Sequence, residues 1–154
     1  MRKYRYRYEE TERGGKRWYR NGELHRRNGP AILLEDEEYW FYDGEPHRVG
    51  APAYILCDGR KEWYRHGLKH REDGPAVEWS DGDSEWWFNG ELHREDGPAV
   101  EHKSGKQWWY RHGKKHRANG PAVEDIDGFH QWWLDGVRYF SEMEWFAQVV
   151  RQLA

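Results

Sequence analysis

The 154-residue chain contains a single cysteine, Cys57, so it has no internal disulfide framework and fits a reducing compartment. Long hydrophobic runs are also missing. The longest apolar stretch, Pro52 to Cys57, is too short to span a bilayer. The start, Met1-Arg2-Lys3-Tyr4-Arg5, has no apolar segment behind it and does not read as a signal peptide. There is no Gly-rich phosphate loop leading into a helix, no nucleophile elbow and no paired Cys motif. These absences point to a cytoplasmic protein without enzymatic machinery or cofactor. Mean hydropathy is low, −1.27, a value typical of disordered chains. Eleven Trp, ten Tyr and five Phe argue the reverse, because disordered segments lack aromatics. A core built from a few very large side chains follows.

The aromatics recur in order. Six times the chain approaches W-aromatic-x-x-G-x-x-H-R-x-x-G-P-A, anchored on Gly22, Gly44, Gly67, Gly90, Gly113 and Gly136. A fixed period of 22 or 23 residues predicts stacked repeats, none of which buries its apolar face alone. Each anchor glycine follows Asn21, Asp43, His66, Asn89, His112 or Asp135, residue types enriched at positive φ. Such a pair between aromatic runs predicts a two-residue type I′ hairpin. The register then sets Phe88 against Glu91, Trp87 against Leu92, Trp86 against His93 and Glu85 against Arg94. The same arithmetic sets Glu62 against Arg71.

Side chains alternate faces along a strand. One face is expected to carry a structural core row, Trp18, Trp40, Trp63, Trp86, Trp109 and Trp132, with His25, His47, His70, His93 and His116 beside it. The other is expected to carry the candidate binding row: Tyr19, Phe41, Tyr64, Trp87, Tyr110 and Trp133, with Arg26, Arg48, Arg71, Arg94 and Arg117 nearby. Tyr, Trp and Arg dominate binding hot spots. After each Gly-Pro-Ala a second strand leads to a second turn, such as Asp81-Gly82. A two-residue loop there would oppose Glu78 and Glu85, so a longer one is expected. The fold class is all-β: tandem hairpins forming an elongated, twisted antiparallel meander over 1–140, opened by an edge-strand cap over 1–13. A short capping helix is expected within 141–154, over about 142–153, introduced by the capping box Ser141-Glu142-Met143-Glu144.

These aromatic-x-x-G hairpins resemble MORN-type repeats, especially the MORN-like repeats of the YwqK-type family, over about residues 14–140. The family's Y-x-G-x-x-x-x-G-x-G spacing is not kept. The His-Arg and Gly-Pro-Ala elements are similar to repeats in proteins of bacteriophages and large viruses, often closed by a short C-terminal helix. The resemblance implies an elongated antiparallel sheet serving as a protein-binding scaffold. A lipid-binding role is also attached to such repeats. It implies no catalytic residues.

Equivalent histidines should lie one repeat apart, roughly 9.6 Å, too far to converge on one zinc. No metal is expected, and each imidazole should stack on Trp and bond a neighbouring loop backbone. For the Arg row, candidate acid partners are Glu62 and Glu85, then Glu78, Glu101 and Glu124, while Arg26 faces Arg17 and stays unpaired. Residues 1–27 hold ten Lys/Arg against four acids, leaving about −9 for the rest of a −3 chain. That basic segment is compatible with nucleic acid; the net charge and Glu35-Asp36-Glu37-Glu38 oppose it. Small cationic or sugar ligands between aromatic slots are a further alternative. So is head-to-tail self-association of the unlike ends. Cys57 is expected to be a buried thiol. A protein partner leads these readings, and an accessory phage protein that blocks a host factor, such as a defence component, in the host cytoplasm is its specific form.

Overall fold

The computed structural model describes residues 4–153; Arg2 and Lys3 of the basic segment lie outside them. The molecule is a long antiparallel meander ending in one helix, Glu142–Leu153, and does not close into a barrel. The edge strand Tyr6–Glu10 pairs with Lys16–Arg20, Tyr8 opposite Trp18. From there each repeat adds a strand after Gly-Pro-Ala, such as Val77–Glu78, and a returning strand, such as Ser84–Glu85. Among the described residues these strands belong to a 14-stranded sheet. No helix among them is long and apolar enough to cross a membrane.

Both turn types follow from local chemistry. Asn89 (φ 50°) and Gly90 (φ 82°) are both left-handed, as type I′ demands. All six turns share this pattern. The predicted tip register forms: Trp87 opposes Leu92 and Phe88 opposes Glu91. At the other end the longer loop is present. The Trp79 N–H donates to Asp83 O at 3.0 Å and the Gly82 N–H to Trp79 O at 3.1 Å, with Gly82 left-handed. This is a type I turn closed by a glycine bulge, and it sets Glu78 against Ser84, with Glu85 opposite Val77.

The hairpin is shorter than the register arithmetic predicts. The His93 N–H donates to Trp86 O at 3.0 Å, but the next residue, Arg94, donates to Tyr110 O of the following repeat at 3.2 Å. The Trp86 N–H meanwhile donates to Ala99 O at 2.7 Å. Trp86 therefore straddles two pairings: the neighbouring Gly-Pro-Ala strand before it and its own hairpin after it. Glu85 opposes Val77 and Val100. The expected Glu85–Arg94 and Glu62–Arg71 oppositions do not form, because the strand edge at the glutamate already belongs to the adjacent repeat.

The fully buried positions are small. Ala31, Ala53, Ala76, Ala99 and Ala122 have no exposed surface, and Val77, Val100 and Val123 are buried beside their alanines. The Trp row is half-buried rather than sealed. Cys57 is exposed, contrary to expectation. It lies in the Leu56–Arg60 turn, past the strand Tyr54–Ile55, where no second layer covers it.

The helix begins at the predicted Ser141 cap, the Glu144 N–H donating to Ser141 Oγ at 3.2 Å, but the Glu144 carboxylate accepts from the Phe140 N–H at 3.2 Å and not from the Ser141 N–H of a full capping box. Trp145 and Val149 pack on Leu134, with Trp132 and Tyr139 alongside.

Candidate binding surface

The break at Trp puts Arg and Trp together, which corrects the two-face assignment. Arg26, Arg48, Arg71, Arg94 and Arg117 do not flank the second aromatic row. Their guanidinium carbons lie 3.7, 3.7, 4.0, 4.0 and 3.7 Å over the rings of Trp18, Trp40, Trp63, Trp86 and Trp109. Each therefore sits within cation–π range of its own repeat's indole. The glycine of Gly-Pro-Ala closes the other side. A Cβ on Gly29, Gly74, Gly97 or Gly120 would meet the arginine Cζ at 2.8–2.9 Å. Only the second repeat has Ala51 at this place. The arginine also ties down the loop, donating through Nη1 to the carbonyl of Pro30, Pro52, Pro75, Pro98 or Pro121. The W…R…G-P-A letters thus describe one bracket: indole, guanidinium, glycine, proline carbonyl.

Acids complete the bracket unequally. Arg71, Arg94 and Arg117 bond Glu78, Glu101 and Glu124 at 2.7, 3.0 and 2.6 Å. Arg71 and Arg94 also bond Asp73 and Asp96, each at 2.9 Å. Glu62 instead pairs with Arg60, and Glu85 accepts from the Trp87 indole. At the equivalent positions Arg26 has Asn28 and Leu33, and Arg48 has Gly50 and Ile55. Burial pushes the Arg48 guanidinium down, and the Glu38 charge opposes this.

The histidines do a different job. Nδ1 of His25, His47, His70, His93 and His116 accepts, each at 3.1 Å, the N–H of Asp43, His66, Asn89, His112 and Asp135. Each imidazole therefore fastens the left-handed turn of the next repeat. The loop-backbone bond matches expectation; the stacking partner does not. His25 lies against Tyr42, His47 against His66, His70 against Phe88 and His93 against His112. At His47, His70 and His93 an accepting Nδ1 places the ring proton on Nε2, whereas Nδ1 of His25 and His116 also lies 2.9 Å from the Asp43 and Asp135 carboxylates. Burial pushes His25, His47 and His116 down; Arg20, Arg65 and Arg111, respectively, act the same way, while Asp43 and Asp135 oppose the shift at His25 and His116.

This tautomer decides how a juxtaposition that the sequence reading missed should be read. His93, Glu95 and His112 bring ligand atoms within 4.8 Å of one another. The His93 atom facing Glu95, at 3.3 Å, is Nε2. That nitrogen carries the proton, so it donates to the carboxylate, and ligation there would sacrifice the turn bond to His112. The 19-residue offset between column histidine and turn histidine, repeated at His47 and His66, was the available signal.

The second aromatic row is half-buried and partnered. Tyr19 lies under Arg7 at 4.5 Å. Phe41 and Tyr64 flank Tyr54 at 5.8 and 4.9 Å, where burial pushes the Tyr54 hydroxyl up to about 12. Trp87 and Trp133 each lie 5.1 Å from an ammonium, Lys69 and Lys115. Tyr110 is half-buried as well.

Between successive His-Arg loops lie open clefts. One, of about 510 Å³, is bounded by Arg48–Pro52 and Arg71–Asp73. The next, of about 600 Å³, is bounded by Arg71–Pro75 and Arg94–Asp96, over Trp86 and Phe88. At the N-terminal end a cleft of about 230 Å³ lies among Tyr6, Tyr8, Trp18, Tyr19, Arg26 and Arg27. Titratable residues in these clefts recur with the repeat, and the geometry suits recognition of an extended surface. No protein-family model matches the chain, and no curated protein matches it.

Proposed function

We propose that this protein is a non-enzymatic, MORN-like repeat scaffold that binds another protein. The observation that carries the reading is the row of clefts between His-Arg loops, spaced by the repeat and floored by indole and phenyl rings. A groove series of this kind suits an elongated partner better than a single small molecule, whose sites are enclosed and few. Charged loop tips such as Glu72-Asp73 and Glu95-Asp96 rim these clefts and would steer the partner, while the rings supply contact area. The specific form is an accessory phage protein that occupies a host factor in the host cytoplasm. Affinity capture from host lysate, followed by light scattering of the purified complex, tests it. A stoichiometric protein complex is the expected result. Capture of only a tightly held small molecule, or of only nucleic acid at physiological salt, would replace the protein reading.

A further inference from the structure

We propose that the cleft at Arg26 docks a carboxylate-bearing segment of the protein partner, which pairs with this guanidinium as Asp73 and Glu78 of the same chain pair with Arg71. The inference rests on the protein-binding reading and adds the chemistry of the contact. The molecule supplies its own precedent. Five equivalent guanidinium groups stack on Trp and bond a proline carbonyl, and in three of them a glutamate of the same chain completes the bracket. Arg26 keeps the bracket, 3.7 Å over Trp18 and bonded to Pro30 O at 3.2 Å, with no carboxylate within ion-pair distance among the described residues. Leu33 stands where Glu78 would be, and Asn28 where Asp73 would be.

The surroundings add to the unpaired charge. Arg27 is exposed beside it, and its charge helps to lower His25. No acidic side chain lines the cleft. Tyr6, Tyr8 and Trp18 form apolar walls, the Tyr8 and Trp18 rings 5.3 Å apart. A volume near 230 Å³ admits one side chain with a flat ring beside the anion, and is below the usual range for a drug-sized ligand, about 300–1,000 Å³. An acidic segment with an adjacent aromatic residue satisfies both features. Guanidinium held flat and already oriented is the preferred partner of a carboxylate.

The test uses the full chain and a blocked peptide, acetyl-Glu-Phe-Glu-amide, with its Gln-Phe-Gln analogue as control. Binding is followed by the Trp18 indole N–H and the His25 ring resonances. Saturable shifts are expected with the acidic peptide alone. Asn28→Asp with Leu33→Glu rebuilds the bracket of the third repeat and should weaken binding about tenfold or more, the scale of one charge-assisted hydrogen bond. Asn28→Asp alone, at an exposed position, gives an intermediate loss and guards against misfolding of the pair. No saturable shift up to roughly 10 mM peptide, a free energy of only about −2.7 kcal/mol, overturns the proposal. Equal binding by the doubly substituted protein overturns it as well. If that protein still holds the captured partner with unchanged affinity, the site assignment falls and the scaffold reading stands. If the peptide binds but no protein partner is captured, the reverse holds.

Discussion

Replacing Arg94 by Met is the most direct probe of the bracket that defines this repeat. Met keeps an unbranched apolar stem over Trp86 but removes the charge and every donor. Three contributions are lost. The first is the cation–π contact at 4.0 Å, worth about 0.5–2 kcal/mol. The second is the bond to Pro98 O at 3.2 Å, which for a charged donor would be about 1.5–3 kcal/mol and nearer 1 at this partly open site. The third is the pairing with Asp96 and Glu101, whose side chains are 85% and 35% exposed, so water screens it. Together they predict a loss of about 1.5–3 kcal/mol, read as a lower urea midpoint. Because each repeat touches only its neighbours, the transition should also broaden.

The comparison with Arg26→Met isolates the dominant contribution. Arg26 has the stack and the proline bond but no acid partner. If stacking and loop tethering dominate, the two substitutions should agree within about 0.5 kcal/mol, since exposed ion pairs contribute little. Arg94→Lys keeps the charge but loses the plane and the fork, and should recover less than half of the loss. The reasoning is refuted if Arg94→Met unfolds within about 0.5 kcal/mol of the parent, or if Arg94→Lys restores full stability. Either result would make the bracket a consequence of the fold and not a cause of it.

Three further outcomes follow from the same geometry. His25, His47 and His116 have folded pKa values below the unfolded one, so the unfolded chain takes up more protons; their stabilisation is complete above about pH 6.5 and is lost as pH falls through the folded values. The urea midpoint should drop between pH 7.5 and 5, and a rise on acidification would contradict the turn-fastening role. Asn89→Ala, at φ 50°, should cost about 1 kcal/mol while Asn89→Gly costs much less, read by thermal unfolding; equal costs would deny a conformational reason for that residue. Trp145→Ala should remove the cover from Leu134 and Trp132, lowering stability by about 3 kcal/mol or more and releasing the helix, visible as lost helical circular dichroism.

What could be read in the sequence was local. Asn89-Gly90 fixes its own backbone, so the turn, the tip register and the repeat count are legible from two residues and a period. Ser141 and Glu144 fix the helix start in the same way. What could not be read depended on where a strand changes partners. Alternation of faces assumes a straight strand paired on one side throughout. Trp86 breaks that assumption by giving its N–H to Ala99 and its carbonyl to His93. One residue later the alternation no longer assigns Arg94 to a face, and the arginine row lands on the indoles. The role of Gly97 was hidden for the same reason. Its φ is not left-handed, so a conformational reading of glycine says nothing; the demand comes from a guanidinium that must lie flat against it. The His93–His112 contact crosses repeats, and periodic alignment places those residues in different columns.

Five brackets share indole, guanidinium and proline carbonyl, so the proposed partner would have to distinguish them by what differs. The two residues after each His-Arg are Arg27-Asn28, Val49-Gly50, Glu72-Asp73, Glu95-Asp96 and Ala118-Asn119. Arg27, Val49, Gly50, Glu72, Asp73, Glu95 and Asp96 line the clefts, and none belongs to the Trp–Arg–Gly stack. Along the molecule the rims pass from basic through neutral to acidic and back to neutral. The last repeat ends the series differently: Tyr139 and Phe140 replace His-Arg, and Trp145 lies 4.6 Å from the Trp132 ring, where a guanidinium would otherwise stack. Its indole N–H donates to Arg117 O at 3.1 Å, tying the helix to the preceding repeat. One end is thereby closed by an internal aromatic cover. At the other end the edge strand leaves Tyr6 and Tyr8 exposed beside a guanidinium without an acid. Repeat arrays use distinct end covers; among the described residues the helix covers the last repeat while only the edge strand Tyr6–Glu10 flanks the first, and it is beside that strand that the proposed acidic segment would dock.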